Sequence, residues 1–183
     1  MMPILKKGKN KKKALSYRPI SLTSCVCKTM EHIINKRMQW YLETESIFAP
    51  EQAGFRKYKG TEDQTTHLAQ VIEDAFQKKR VTLTVFIDLQ KAFDKVWKDG
   101  LLVKLQRSGI RGNLYKWTKS YLYNRQARVC VDGKTSRKVL LRQGVPQGGV
   151  LSPTLFILFI NDLMVELPKG VYAALYADDL VLW

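Results

Sequence analysis

Val171-Tyr172-Ala173-Ala174-Leu175-Tyr176-Ala177-Asp178-Asp179-Leu180-Val181-Leu182-Trp183 is the stretch from which the rest of the chain is read. Two apolar runs, Val171 to Tyr176 and Leu180 to Trp183, are split by Ala177-Asp178-Asp179, which predicts a hairpin with carboxylates at its tip. Adjacent aspartates among such residues are costly, because desolvation disfavours their charged forms and each repels the other. For an isolated Asp-Asp pair, a turn that leaves both in water is the ordinary solution. Asp88 changes the balance. It ends the run Val81-Thr82-Leu83-Thr84-Val85-Phe86-Ile87, whose β-branched and partly alternating residues predict a buried strand. If these elements are neighbours in one sheet, three carboxylates converge on one edge. An all-oxygen cluster of that kind selects hard divalent cations, Mg²⁺ or Mn²⁺. Two such ions roughly 3.5–4 Å apart are the arrangement that phosphoryl transfer uses.

The remaining composition suits a polyanionic partner. Of 183 residues, 31 are Lys or Arg and 16 are Asp or Glu, a formal charge of +15. The excess is uneven, with a net +9 in residues 1–60 and +6 in residues 61–183. Lys6, Lys7, Lys9, Lys11, Lys12 and Lys13 make residues 1–13 a basic segment expected to stay solvated and disordered. Phosphate backbones are the commonest partner of such a block, although a solubilising tail or a nuclear-import address uses the same residues. Hydrophobic residues at 45% are enough for a core. No run approaches the roughly 18 apolar residues of a membrane span, and the basic N-terminus lacks the apolar centre of a secretory signal. Three cysteines and two histidines supply neither a disulfide framework nor a local zinc motif. A soluble, intracellular-type protein with no membrane partner is the expectation.

Periodicity places helices over about Thr23–Glu43, with a stripe of Val26, Met30, Ile33, Ile34, Met38, Tyr41 and Leu42, and from Thr61. Thr61 and Gln64 have capping-box spacing, and Leu68, Val71, Ile72, Ala75 and Phe76 are the stripe expected to be buried. A basic, glycine-bounded loop, 53–60, joins the two. After the strand ending at Asp88, helices are expected over Lys91–Trp97, from Asp99 to near Gly109, and around Leu114–Leu122. Arg125–Val131 and Arg137–Leu141 predict two strands around Asp132-Gly133-Lys134. Ser152-Pro153 has the form of an N-cap followed by proline, and the helix after it, Thr154–Val165, is apolar nearly all round and expected to be deeply buried. The chain ends inside an apolar strand, from which a longer polypeptide is expected.

Gln143-Gly144-Val145-Pro146-Gln147-Gly148-Gly149-Val150-Leu151-Ser152-Pro153 leads into that helix. Its glycines permit close approach of a ligand or of backbone, and a helix start favours anions; taken alone it is equally a turn into a buried helix. Together with Phe86-Ile87-Asp88-Leu89-Gln90-Lys91-Ala92-Phe93-Asp94-Lys95-Val96 and Tyr176-Ala177-Asp178-Asp179, it resembles motifs A, B and C of reverse transcriptases, in the family's order. Arg18-Pro19-Ile20-Ser21-Leu22 and Gly54-Phe55-Arg56 resemble the fingers motifs that precede them. Ala92-Phe93-Asp94-Lys95-Val96 and Phe159-Ile160-Asn161-Asp162-Leu163 resemble the non-LTR (LINE-type, Jockey/CR1-like) retrotransposon branch.

The resemblance implies an α+β fingers–palm fragment, with mainly helical fingers over 14–80, a palm of antiparallel strands backed by helices over 81–183, and no thumb. It implies RNA-directed DNA polymerisation on an RNA template with a DNA primer and dNTPs, two Mg²⁺ ions (or Mn²⁺), and nuclear residence. By the same resemblance Asp88 and Asp178 are the main metal ligands, assisted by Asp179 and the Leu89 carbonyl. Phe93 matches the aromatic gate against a 2′-hydroxyl, and Gln147 and Gly148 match the floor beneath the incoming nucleotide. Arg56 and Arg18 match basic residues that approach the triphosphate or template, a role for which the planar guanidinium is suited; each is otherwise a solvated loop cation. A group II intron-like reverse transcriptase shares the Arg18–Leu22 and Tyr176–Asp179 motifs. A catalytically inactive, nucleic-acid-binding remnant is the reading from another class.

Overall fold

Strand β1 (Met2–Leu5) pairs antiparallel with β2 (Tyr17–Ile20), Ile4 opposite Arg18. The computed structural model describes residues 1–165 and 167–183. Residues 2–5, expected in a disordered segment, are therefore a strand: Met2, Pro3, Ile4 and Leu5 are apolar, and the lysines are left to the connection after them. The Met1 ammonium donates to the Arg128 carbonyl at 2.6 Å, and the Cys130 N–H donates to the Met1 carbonyl at 3.0 Å, which ties this hairpin to a later one.

Helix α1 (Cys25–Thr44) starts on Ser24, whose hydroxyl accepts from the Cys27 N–H at 3.2 Å. Its inward face differs from the apolar stripe. Glu31, Met38 and Leu42 are buried, while Val26, Met30 and Ile33 are exposed. The neighbour of this face is the start of a buried helix, whose N–H groups need an oxygen more than another methyl group. Helix α2 (Thr61–Gln77) opens at Thr61 as expected, but its cap is one residue earlier than the predicted one: the Gly60 N–H donates to the Asp63 carboxylate at 2.8 Å. Its stripe is only half-buried at Leu68, Val71, Ile72 and Ala75, where α2 meets the sheet at β8, and Phe76 is exposed.

Strand β3 (Val85–Asp88) is followed by the short α3 (Ala92–Lys95), then α4 (Lys98–Arg107) and α5 (Gly112–Leu122). Strands β4 (Gln126–Ala127), β5 (Cys130–Val131), β6 (Lys134–Thr135) and β7 (Val139–Leu140) form the predicted hairpin, turning on Asp132-Gly133. Its ladder is broken in two where the Ser136 hydroxyl takes the Val129 N–H. Helix α6 (Ser152–Ile160) ends in a 3-10 turn, Asn161–Met164, and β8 (Ala173–Tyr176) and β9 (Asp179–Leu182) close the chain.

The core gathers around α6, where Leu155, Phe156, Ile157 and Leu158 are all buried, as its unbroken apolar character predicts. Leu101 and Leu105 from α4, Leu122 from α5, Met38 and Leu42 from α1, and Leu175 from β8 pack on it. The central sheet has the order β3-β9-β8, antiparallel throughout. Leu175 and Leu180 face the core, while β3 is an edge strand with Phe86 74% exposed, contrary to the expectation of a buried strand. No helix among the described residues is long and apolar enough to cross a membrane.

Candidate active site

Pairing register brings the acids together. In the β3–β9 ladder Asp88 lies directly opposite Asp179, and Tyr176 lies opposite Asp179 across β8–β9. Directly opposed residues share a face of the sheet, with Cβ atoms roughly 4.5–5.5 Å apart. Asp178 sits in the turn between β8 and β9. Burial pushes its carboxyl above the ordinary aspartate range, and the Asp179 and Asp88 charges push the same way; a backbone hydrogen bond and the Arg18 charge pull it down. Three carboxylates and one opposing cation thus act on one another, although β3 and the closing hairpin are far apart in sequence.

Asp88, Asp178 and Arg18 line a cleft of about 970 Å³ together with Leu89, Phe93, Gln147 and Gly148, while Asp179 pairs with Asp88 outside its lining. Arg18 reaches it from β2, whose hairpin forms one wall. The Leu89 carbonyl accepts the Ala92 N–H at 3.2 Å as the chain turns into α3, which leaves it one free lone pair. Phe93 follows on α3, stacked on Phe156 at 4.5 Å and edge-on to Phe55 at 6.2 Å. The glycine-rich loop is bonded to α3 and its flank through backbone, Gly144 N–H to the Val96 carbonyl and Val145 N–H to the Phe93 carbonyl. On its other side the Ser21 N–H donates to the Gln147 carbonyl at 2.7 Å. Gly148 holds φ +90°, and a Cβ there would stand 3.0 Å from the Ile20 side chain, so glycine alone fits without movement.

Arg56 is a correction. Its guanidinium forks onto Glu43 at 2.6 and 2.8 Å and donates to the Ala49 and Gln52 carbonyls at 2.9 and 3.1 Å. With its side chain 9% exposed and its donors engaged by Glu43 of α1 and two loop carbonyls, it is not among the residues that line the cleft. The ion pair holds Glu43 below the ordinary glutamate range. The cap before α6 is another correction. Ser152 does not cap the helix, whose N-cap is Leu151; the Glu31 carboxylate instead holds the chain just before it, accepting the Val150 N–H at 2.6 Å and the Leu151 N–H at 3.2 Å.

Sequence reasoning missed Asp94 and Glu31. The Gln147 amide donates to the Asp94 carboxylate at 2.8 Å, so the acceptor-only partner fixes which end of the amide is free. Asp94 lies within the motif already quoted and was detectable there; Glu31, an acid amid apolar neighbours on a helix, was a weaker signal.

The acids suit a divalent cation by chemistry, being all-oxygen donors whose like charge Arg18 offsets only in part. Among the described residues no three potential ligands already share one coordination point, so the fit is one of donor type and neighbourhood, not of a preformed cage.

Comparison with known proteins agrees with this geometry. The family profile described as reverse transcriptase (RNA-dependent DNA polymerase) matches residues 4–183. The chain is 38% identical to the probable RNA-directed DNA polymerase from transposon BS of Drosophila melanogaster, over all of this chain and 21% of that protein. It is 37% identical to the RNA-directed DNA polymerase from mobile element jockey of the same species, over 96% of this chain and 20% of that one. The chain therefore spans about a fifth of the length of the curated relatives it matches. Among solved structures, telomerase from Candida albicans in complex with a telomeric RNA fragment superposes with a TM-score of 0.63 at 12% identity, covering 91% of this chain and 35% of that one. Apo telomerase from Candida tropicalis gives a TM-score of 0.56 at 14% identity, covering 85% and 34%. A profile match over nearly every residue, relatives from non-LTR elements and a shared fold lead to one conclusion: the chain belongs to the reverse transcriptase family.

Proposed function

We propose that this chain forms the nucleotidyl-transfer centre of an RNA-directed DNA polymerase of a non-LTR retrotransposon, adding dNTPs to a DNA primer 3′-hydroxyl on an RNA template. Residues 14–80 serve as fingers and 81–183 as palm. The observation that carries this reading is the register of Asp88 against Asp179, with Asp178 beside them in the wall of the cleft. Asp88 and Asp178 hold Mg²⁺, with Asp179 and the free lone pair of the Leu89 carbonyl adjacent. Divalent ions bound there supply Lewis-acid activation of the primer hydroxyl and charge neutralisation on the departing pyrophosphate. Arg18, on the cleft wall, draws the triphosphate in. Gln147, its amide oriented by Asp94, and Gly148 form the floor on which the nucleotide lies. Phe93, fixed between Phe55 and Phe156, presents its ring to the sugar and excludes a 2′-hydroxyl. The protein's work is positioning and electrostatics.

The test is Asp88→Ala and Asp178→Ala, assayed by Mg²⁺-dependent extension of oligo(dT) on poly(rA) and by Mn²⁺ titration followed by electron paramagnetic resonance. Both substitutions should abolish extension and weaken Mn²⁺ binding while RNA affinity stays close to the parent's. Extension by either variant at the parent's rate refutes the assignment.

A further inference from the structure

Ala177, immediately before Asp178, is buried and holds φ +57°, a left-handed conformation that residues with a Cβ rarely adopt. The two-residue loop between the paired Tyr176 and Asp179 calls for positive φ at its first position, where glycine or asparagine is the usual residue and alanine bears the steric cost. Support against that cost comes from residues 51–53, which run parallel beside β8 at the edge of the sheet. The Leu175 N–H donates to the Glu51 carbonyl at 3.0 Å, and the Ala53 N–H donates to the Leu175 carbonyl at 2.8 Å. Two residues further along β8, the peptide groups of Ala177 meet a side chain instead of backbone. The Ala177 N–H donates to Gln52 Oε1 at 3.0 Å, and Gln52 Nε2 donates to the Ala177 carbonyl at 3.3 Å. The same Oε1 also accepts the Gly54 N–H at 2.8 Å. Only one orientation of the amide satisfies all three bonds, so its oxygen and nitrogen are fixed by their partners.

We propose that Gln52 is a positioning residue of the polymerase reaction: its amide replaces the next peptide in the ladder, locks Ala177 in the left-handed turn, and so directs Asp178 toward Asp88. This rests on the reading of Asp88 and Asp178 given above. Three observations make Gln52 suited to the role. It is 2% exposed, so water does not compete for its bonds. Its own carbonyl accepts from Arg56, which is forked onto Glu43 of α1, so the clamp is anchored to a helix. Gly54 completes the fit, since a Cβ there would stand 2.1 Å from the Ala177 nitrogen. Glutamate in place of Gln52 would lose the donor and bring a fourth carboxylate toward three others, and an apolar residue would leave both Ala177 groups without partners.

The experiment is Gln52→Met in the chain, read by amide hydrogen exchange and by steady-state extension of oligo(dT) on poly(rA). The Ala177 amide should exchange at least about tenfold faster while the Leu101 amide of α4 keeps its rate. The kcat should fall at least about tenfold with the dNTP KM within about threefold of the parent, the split expected when geometry at the reacting atoms is lost and binding is not. An unchanged Ala177 exchange rate, or a kcat within about twofold of the parent, overturns the proposal. Should Gln52→Met lose cooperative unfolding, Gly54→Ala presses on the same peptide from the other side, and a parental kcat in that variant overturns it equally. If the parent chain, a fifth of the length of its relatives, extends no primer, Mn²⁺ binding lost in Asp88→Ala and Asp178→Ala is the readout of the polymerase reading, and the exchange rate at Ala177 still decides whether the clamp exists.

Discussion

Replacing Glu31 tests how the glycine-rich loop is held over the core. Glu31 is 0% exposed, and one of its oxygens accepts three hydrogen bonds: Val150 N–H at 2.6 Å, Leu151 N–H at 3.2 Å and the Tyr121 hydroxyl at 3.1 Å. Burial pushes the Tyr121 phenol up, and the Glu31 charge adds to that, so the hydroxyl remains a donor across the accessible pH range. Hydrogen bonds to a charged group are each worth about 1.5–3 kcal/mol net, against several kcal/mol for desolvating the carboxylate. Glu31→Ala removes the acceptor and leaves the Val150 and Leu151 N–H groups without partners, each costing about 1–3 kcal/mol, and leaves the Tyr121 hydroxyl only the Ser152 Oγ at 3.4 Å, less whatever water entering the vacated space restores. The expected loss is therefore about 3–5 kcal/mol, the range found when one member of a buried charged contact is deleted. Glu31→Gln keeps an oxygen for the two N–H groups and gives up the charge at the start of α6, so its loss should be about 1–2 kcal/mol. Urea unfolding at neutral pH, followed by tryptophan fluorescence, measures both. A Glu31→Ala stability within about 1 kcal/mol of the parent, or a Gln variant as damaged as the Ala variant, would show that Glu31 does not hold the loop.

Other consequences concern the cleft and its supports. Asp178 is raised by burial and by its acidic neighbours, so its charged form destabilises the fold. That penalty is present above the folded pKa and relieved as pH falls through it toward the ordinary aspartate value; Asp178→Asn should raise the neutral-pH unfolding free energy, by less than about 1 kcal/mol for a half-exposed group, and flatten its acid-side slope in urea titrations. Glu43, lowered by Arg56, behaves oppositely. Its contribution is present above the ordinary glutamate value and lost as pH falls through its lowered pKa, so Arg56→Ala should cost about 2 kcal/mol near pH 7 and less in acid, with the dNTP KM unmoved. Phe93→Val should increase ribonucleotide incorporation in extension assays and, by losing the Phe156 stack, lower stability by about 1–3 kcal/mol; parental sugar discrimination would remove Phe93 from the gate.

Local signals were enough for much of this protein. The hairpin Ala173–Leu182, the apolar α6, the Asp132-Gly133 turn and the order of motifs around Asp88, Gln147 and Asp178 depend on neighbours within a few residues, and periodicity and turn chemistry report those directly. Which face of a helix is inside depends on what lies opposite. Val26 and Ile33 were apolar and faced outward, and Glu31 was charged and faced inward, because the partner across the interface was a helix start rich in unpaired donors. Arg56 could not be separated from a ligand-binding arginine by its motif, since the Glu43 that engages it lies a helix end and a loop away. The clamp of Gln52 on Ala177 joins residues 125 positions apart. Composition, motif order and local structure were written along the chain; hydrogen-bond partners, burial and the pairing of Asp88 with Asp179 arise only when distant segments meet, because each is a property of two surfaces and a sequence stretch describes only one.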